Sequence, residues 1–327
     1  MMKAENKLTH TLILSFLAIL GLSIACTRSV SAPPITPLPE NTALPTEPIT
    51  QDKPLPSPTL PVVPTDIPAS PTPTAGAVQL AGLYAVVGLG EGDLLNVRSG
   101  PGTSYSVLET LGPAIRNIQP TGKIEQADGI TWLEIQRPSS TPGWVSRAFL
   151  TEQVEPQAFC DDERMKKLVS DFDQAIKNQD GEALGRLVSP VLGLTIQHNW
   201  WNPEVKIEST EAIRNLFFST TDYDWGTADG SGEPLVGPFK DMILPKLQDV
   251  LNSTYTSHCN VLESGKSAGA TSGLLTWPAA YANMNYETLY KAAPAGEEMN
   301  WRTWVIGIDY VGGVPYIASL VQYAWEI

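Results

Sequence analysis

The chain reads as two folded units in series: a small all-β barrel, then an α+β domain of helices on a curved antiparallel sheet. A proline-rich stalk precedes them. Three observations predict this. Residues 81–152 carry short strand-like runs with turn signals every ten residues or so. Residues 163–178 repeat apolar side chains at helical spacing, and the chain closes on two long alternating runs around Gly312-Gly313. Between Pro33 and Pro73 there are 14 prolines in 41 residues, which rules out helix and sheet alike.

The amino end has the pattern of an export signal. Lys3 and Lys7 precede an apolar run from Thr11 to Ala25. Fifteen residues suit a signal-peptide core and fall short of the roughly twenty a membrane span needs. The run ends "LGLSIAC", with the small Ala25 directly before Cys26. This resembles a bacterial lipoprotein signal, in which the cysteine becomes the new N-terminus and carries diacylglycerol. The resemblance implies removal of residues 1–25, a bilayer anchor through acylated Cys26, and a place on the extracytoplasmic face of the cell membrane. The usual Leu three before the cysteine is here Ser23. The other reading is an ordinary signal peptide in which Cys26 is incidental.

Residues 26–77 are expected to be a disordered Pro/Thr-rich linker. As a polyproline-like stalk at about 3.1 Å per residue, the proline-rich part would stretch to roughly 130 Å. It would hold the folded units away from the membrane.

Composition narrows the partners. A net charge of −14 would repel nucleic acid and anionic headgroups. Only 17% of residues are charged, and 28 are proline, as suits an extracytoplasmic chain with an unfolded spacer. Cys160 and Cys259 are the only cysteines after Cys26, and an even pair in an oxidising compartment predicts one disulfide. Two buried free thiols are the alternative. With so few histidines a zinc site is not expected.

In the all-β unit, taken as residues 78–155, "LYAVVG", "LLNVRS", "YSVLETL", "TWLEIQ" and "GWVSRAFL" are the strands. "GPGTS" is a tight turn between the second and third, with Gly100 and Gly102 free to take positive φ. Tyr105, Val107 and Leu111 are expected to turn inward. The run "LLNVRSGPGTSYSVLETLGPA", followed by "DGITWLEIQ" and "PGWVSRAFL", resembles a bacterial SH3-like domain. The resemblance implies a binding module without shared catalytic residues, often for cell-wall peptide or a protein partner. It makes Tyr105, Trp132 and Trp144 the aromatic ligand-binding candidates. Filling the barrel is the alternative role for each.

Residues 156–327 form the α+β domain. "DDERMKKLVSDFDQAIKNQD" places Met165, Leu168, Val169, Phe172 and Ile176 on one helical face. "DGEALGRLVSP" is a second helix stopped by Pro190, "LGLTIQHNWW" a strand, and "STEAIRNLFFST" a third helix capped by Ser209 or Thr210. Pro245 predicts a break within "PFKDMILPKLQDVL". In the terminal hairpin, Trp304, Ile306, Ile308 and Tyr310 are expected to share one face, and Ile317, Val321, Tyr323 and Trp325 another. Helix, helix, strand, helix and a sheet ending in long strands resembles the cystatin-like cone of the nuclear-transport-factor-two superfamily. That superfamily holds both enzymes and non-catalytic binders, so the likeness does not choose a function.

The chemistry-bearing residues are few. By alternation His198 shares a face with Leu194, Ile196 and Trp200, which makes His198 and Trp200 pocket candidates. Catalysis by His198 would need Asp309 or Asp224 as partner. "DYDWGTADGSGE" has acids at three calcium-loop positions but lacks the turn glycine, and reads as a solvated acidic loop. No full Gly-x-x-x-x-Gly-Lys-Ser/Thr phosphate loop occurs. The leading expectation is therefore a lipid-anchored binding protein for cell-wall peptide, glycan or a surface protein, without a catalytic residue, metal or cofactor. The alternatives are an extracellular enzyme with its pocket around His198, and a structural surface protein without ligand.

Overall fold

The computed structural model describes residues 82–325 apart from 140, 229 and 266–274. The signal segment, Cys26 and the proline-rich linker lie outside the described residues. No helix among the described residues is long and apolar enough to cross a membrane.

The first part is all-β: β1 (Tyr84–Val86), β2 (Leu95–Arg98), β3 (Val107–Leu111), β4 (Pro120–Ala127), β5 (Ile130–Ile135), β6 (Gly143–Ser146) and β7 (Leu150–Glu152). Five strands form an antiparallel sheet in the order β3-β2-β6-β5-β4, and β1 and β7 form a separate ribbon. Val97, Leu133, Ile135, Val145 and Leu150 fill the space between them.

The expected barrel does not close: β3 and β4 are the two edges of the sheet. The segment leading into β4 is diverted to β1, where Tyr84 and Ile118 bond backbone to backbone. β4 itself shifts register between Pro120 and Ile124, and proline has no N–H to extend a ladder.

Strand β3 is also less buried than its alternation suggests. Tyr105 is 46% and Val107 47% exposed, and only Leu111 of the three packs against the core. The register shift between Val97 and Arg98 sets Val107 opposite the outward-facing Arg98, whereas Leu111 pairs with the buried Leu95.

The second part contains α1 (Pro156–Cys160), α2 (Glu163–Asn178), α3 (Gly181–Leu187), β8 (Leu194–Gln197), β9 (Glu204–Ile207), α4 (Thr210–Arg214), β10 (Tyr223–Thr227), β11 (Pro234–Gly237), α5 (Phe239–Met242), α6 (Leu244–Leu251), β12 (Thr256–Cys259), β13 (Asn285–Lys291), β14 (Arg302–Val311) and β15 (Val314–Ala324). Helix α2 starts where the Asp162 side chain accepts from the Arg164 N–H, and it ends at Gln179 in the left-handed region. All five residues predicted on its apolar face are buried. Asp180 caps α3 and Ser209 caps α4 in the same way. The break falls at Ile243, between α5 and α6, and Pro245 sits in the first turn of α6, where its missing N–H breaks no bond.

The sheet order is β12-β13-β14-β15-β8-β9. It is mixed, not wholly antiparallel as expected: β15 and β8 run parallel, with Leu320 beside Ile196. The long excursion through β9 to β14 supplies the crossover such a pair requires. The helices cover one face, where Phe172, Ile176, Leu247, Trp304 and Ile306 form the main core. Gly312 and Gly313 make the two-residue turn of the β14–β15 hairpin, both at positive φ.

Strand β14 presents Trp304, Ile306, Ile308 and Tyr310 to the helices as predicted. Strand β15 departs from prediction. Ile317 and Leu320 face the helices, whereas Val321 and Tyr323 pack on the opposite face with Trp301 and Trp325. The register shift between Gly307 and Ile308 marks a bulge that reverses the alternation along β15.

The two parts join in one compact unit. Val87 of the first packs with Leu192, Tyr281, Met284 and Ala318 of the second. The Asn283 amide donates to the carbonyls of Val86 and Pro113, each at 2.9 Å. Glu152 caps the Gly312-Gly313 turn through both N–H groups. The Thr151 hydroxyl donates to the fully buried Asp309 at 2.8 Å. A disulfide joins Cys160 of α1 to Cys259 of β12, with Cα atoms 5.7 Å apart across a separation of 99 residues.

Candidate functional site

The quoted Asn-Val-Arg-Ser-Gly-Pro-Gly run builds one wall of a groove. Alternation along β2 sends Leu95 and Val97 into the core and Asn96 and Arg98 to the outer face. The Arg98 guanidinium folds back over the turn and donates to the carbonyls of Thr103 and Tyr105 at 2.9 and 2.8 Å. Asp128, from the β4–β5 turn, accepts from both the N–H and the hydroxyl of Thr103. These bonds hold the Asp128 carboxyl below the usual carboxylate range. Gly100 is required because the Tyr105 ring lies against it, and a Cβ there would overlap the ring.

The groove next to this turn encloses about 290 Å³. Leu94, Ile130, Trp132 and Phe149 supply apolar surface, and Asn96, Arg98, Thr103 and Ser146 supply polar groups. Leu94 is 56% exposed at its rim. An apolar floor with a few convergent polar groups is what a short peptide or sugar requires.

Of the aromatic candidates, Trp132 lies in the groove wall but is only 3% exposed, and its indole N–H is spent on the Ala127 carbonyl at 3.2 Å, so it offers no donor and little ring surface. Trp144 pairs across the sheet with Arg98 and Glu134 and is buried. Tyr105 covers the turn glycines from outside. Arg98, Asp128, Leu94 and Phe149 were not anticipated. Arg98 and Leu94 stand within the quoted run, so period-two alternation is the signal that finds them. The contact of Asp128 with a turn 25 residues earlier leaves no local trace.

The other candidates separate. Strand β8 ends at Gln197, and Asn199 turns the chain at positive φ. His198 and Trp200 therefore do not share a face through alternation. Leu194 and Ile196 enter the helix-side core, while Trp200 packs with Trp301, Val321 and Tyr323 on the other side. Trp201, edge-on to Trp200 with centroids 6.1 Å apart, is the exposed member of the pair.

His198 is almost wholly buried, and Asn202 approaches its Nδ1 at 3.3 Å. Burial, with a lesser contribution from the Lys246 charge, pushes its pKa down to about 4. Neither proposed carboxylate is its hydrogen-bond partner. Asp309 accepts from Thr151 and Ser189, and Asp224 accepts from the Gly226 N–H. The first half of the acidic segment "DYDWGTADGSGE" is β10, anchored by the buried Trp225, whose indole N–H donates to the Gly237 carbonyl at 2.9 Å. Among the described residues no cluster of three metal-ligating side chains occurs.

No family model, curated protein or solved structure was found to match the chain.

Proposed function

We propose that this protein is a lipid-anchored surface protein whose all-β part is an SH3-like binding module for cell-wall material, either peptide or glycan. The observation that carries the reading is the groove over Trp132, built by the residues that carry the family resemblance. The Arg98 and Asp128 bonds preform the turn beside it, which lowers the ordering cost of binding. The Cys160–Cys259 disulfide supports an oxidising, extracytoplasmic setting. The helix–helix–strand–helix order over a sheet ending in long strands supports the cystatin-like cone for the second part.

The test uses the full chain with isolated cell wall. Co-sedimentation of the native protein and its release by Leu94→Glu, with an unchanged melting temperature, is the expected result. Leu94 stands at the groove rim and is exposed, so the substitution leaves the core intact. Failure of the native protein to associate, or equal association of Leu94→Glu, removes the groove reading. Intact mass after membrane extraction checks the anchor. A species still beginning at Met1 would overturn it.

A further inference from the structure

A second cavity, of about 60 Å³, lies where the two parts meet. Val87, Gly88 and Phe149 of the first part and Leu192, Met284 and Ala318 of the second make it apolar. Its walls are tied together: the Gly88 N–H donates to the Ala280 carbonyl at 2.7 Å, and Asn283 holds the Val86 carbonyl. One position for a water takes about 10–15 Å³ on this measure, so the space accepts four to six atoms' worth of ligand.

One end of the crevice is polar. Glu204 and Lys206, two residues apart on the edge strand β9, both line it, together with Thr195 and Tyr281. Residues i and i+2 of a strand share a face and stand about 7 Å apart. The buried Tyr281 hydroxyl donates to Glu204 at 3.0 Å and fixes the carboxylate at the mouth. Desolvation raises the Glu204 pKa, against the Tyr281 hydrogen bond and the Lys206 charge. Glu208 holds the Lys206 ammonium at 2.9 Å.

From this juxtaposition we infer that the crevice binds a free α-amino acid with a short aliphatic side chain. The Glu204 carboxylate receives the ligand ammonium, Lys206 receives its carboxylate, and the side chain enters the apolar floor. Glu204 and Lys206, on one face of β9, offer one opposite charge to each end of an α-amino acid. A ligand with only one charge would leave one of the pair unused, and one without an aliphatic group would leave the floor empty. Alanine, with six heavy atoms, fills the cavity, and a longer side chain would exceed it. The site is independent of the groove reading and shares with it only the Phe149 side chain.

Calorimetric titration of the full chain with L- and D-alanine tests the inference, with propionate and ethylamine as the singly charged controls. Either alanine is expected to bind at least tenfold tighter than both controls. Glu204→Gln and Lys206→Met should each weaken that binding at least tenfold, with melting temperature and cell-wall association unchanged. No heat with either alanine, equal binding of propionate or ethylamine, or alanine affinity untouched by both variants overturns it. Loss of wall association in Leu94→Glu bears on the groove alone, so the two readings fail separately.

Discussion

Asp309 joins the two parts of the molecule and carries the sharpest prediction. Its carboxylate is fully buried and accepts from Thr151 at 2.8 Å and Ser189 at 2.7 Å. Burial pushes its pKa from 3.8 up to about 6, against the pull of the Arg147 charge and the two hydroxyls. Between those values the folded protein holds a proton that the unfolded chain has released. Stability from this group is therefore fully present below pH 3.8 and is lost as pH rises through 6. The shift corresponds to roughly 3 kcal/mol.

Asp309→Asn removes the titration and keeps the shape. The Ser189 hydroxyl already accepts from the N–H groups of Val191 and Leu192, so it must remain a donor to position 309. The amide oxygen then faces Ser189, and the amide NH₂ faces the Thr151 hydroxyl, which can accept. Urea unfolding by tryptophan fluorescence should be run on both proteins from pH 3.5 to 7.5. Native minus variant stability should fall by about 3 kcal/mol across that range. The contribution of His198 is common to both proteins and cancels. A difference that stays flat within about 1 kcal/mol, or rises with pH, would refute the reasoning.

Three further outcomes follow from the packing. Reducing the Cys160–Cys259 bond, or replacing both by Ala, should lower stability by about 5 kcal/mol in urea titrations, since the bond closes a long loop. Gly181→Ala should destabilise by about 3 kcal/mol, because its Cβ would overlap the Arg214 backbone carbonyl where α3 meets α4; differential calorimetry reads this as a lowered melting temperature. His198 has a folded pKa of about 4 against 6.5, so the unfolded chain binds the extra proton between those values. Its contribution is present above pH 6.5 and is lost by about 3 kcal/mol as pH falls to 4. An NMR titration should accordingly find one histidine ring still neutral at pH 5.

What the chain determined by itself is local. The 3.6-residue repeat of α2, the Asp162, Asp180 and Ser209 caps, the Gly312-Gly313 turn and the outward placing of Asn96 and Arg98 all depend on neighbours a few residues away. Backbone geometry imposes those periods wherever the helix or strand lies. Tertiary structure alone decided the rest. The bulge that turns Val321 and Tyr323 away from the helices, the parallel pairing of β15 with β8, and the two open edges of the first sheet are pairings of segments far apart in sequence. The same is true of Asp128 on Thr103, Thr151 on Asp309, and Tyr281 on Glu204. Which faces meet is set by the burial gained when whole elements pack, and a pattern repeating every two or four residues holds no record of it.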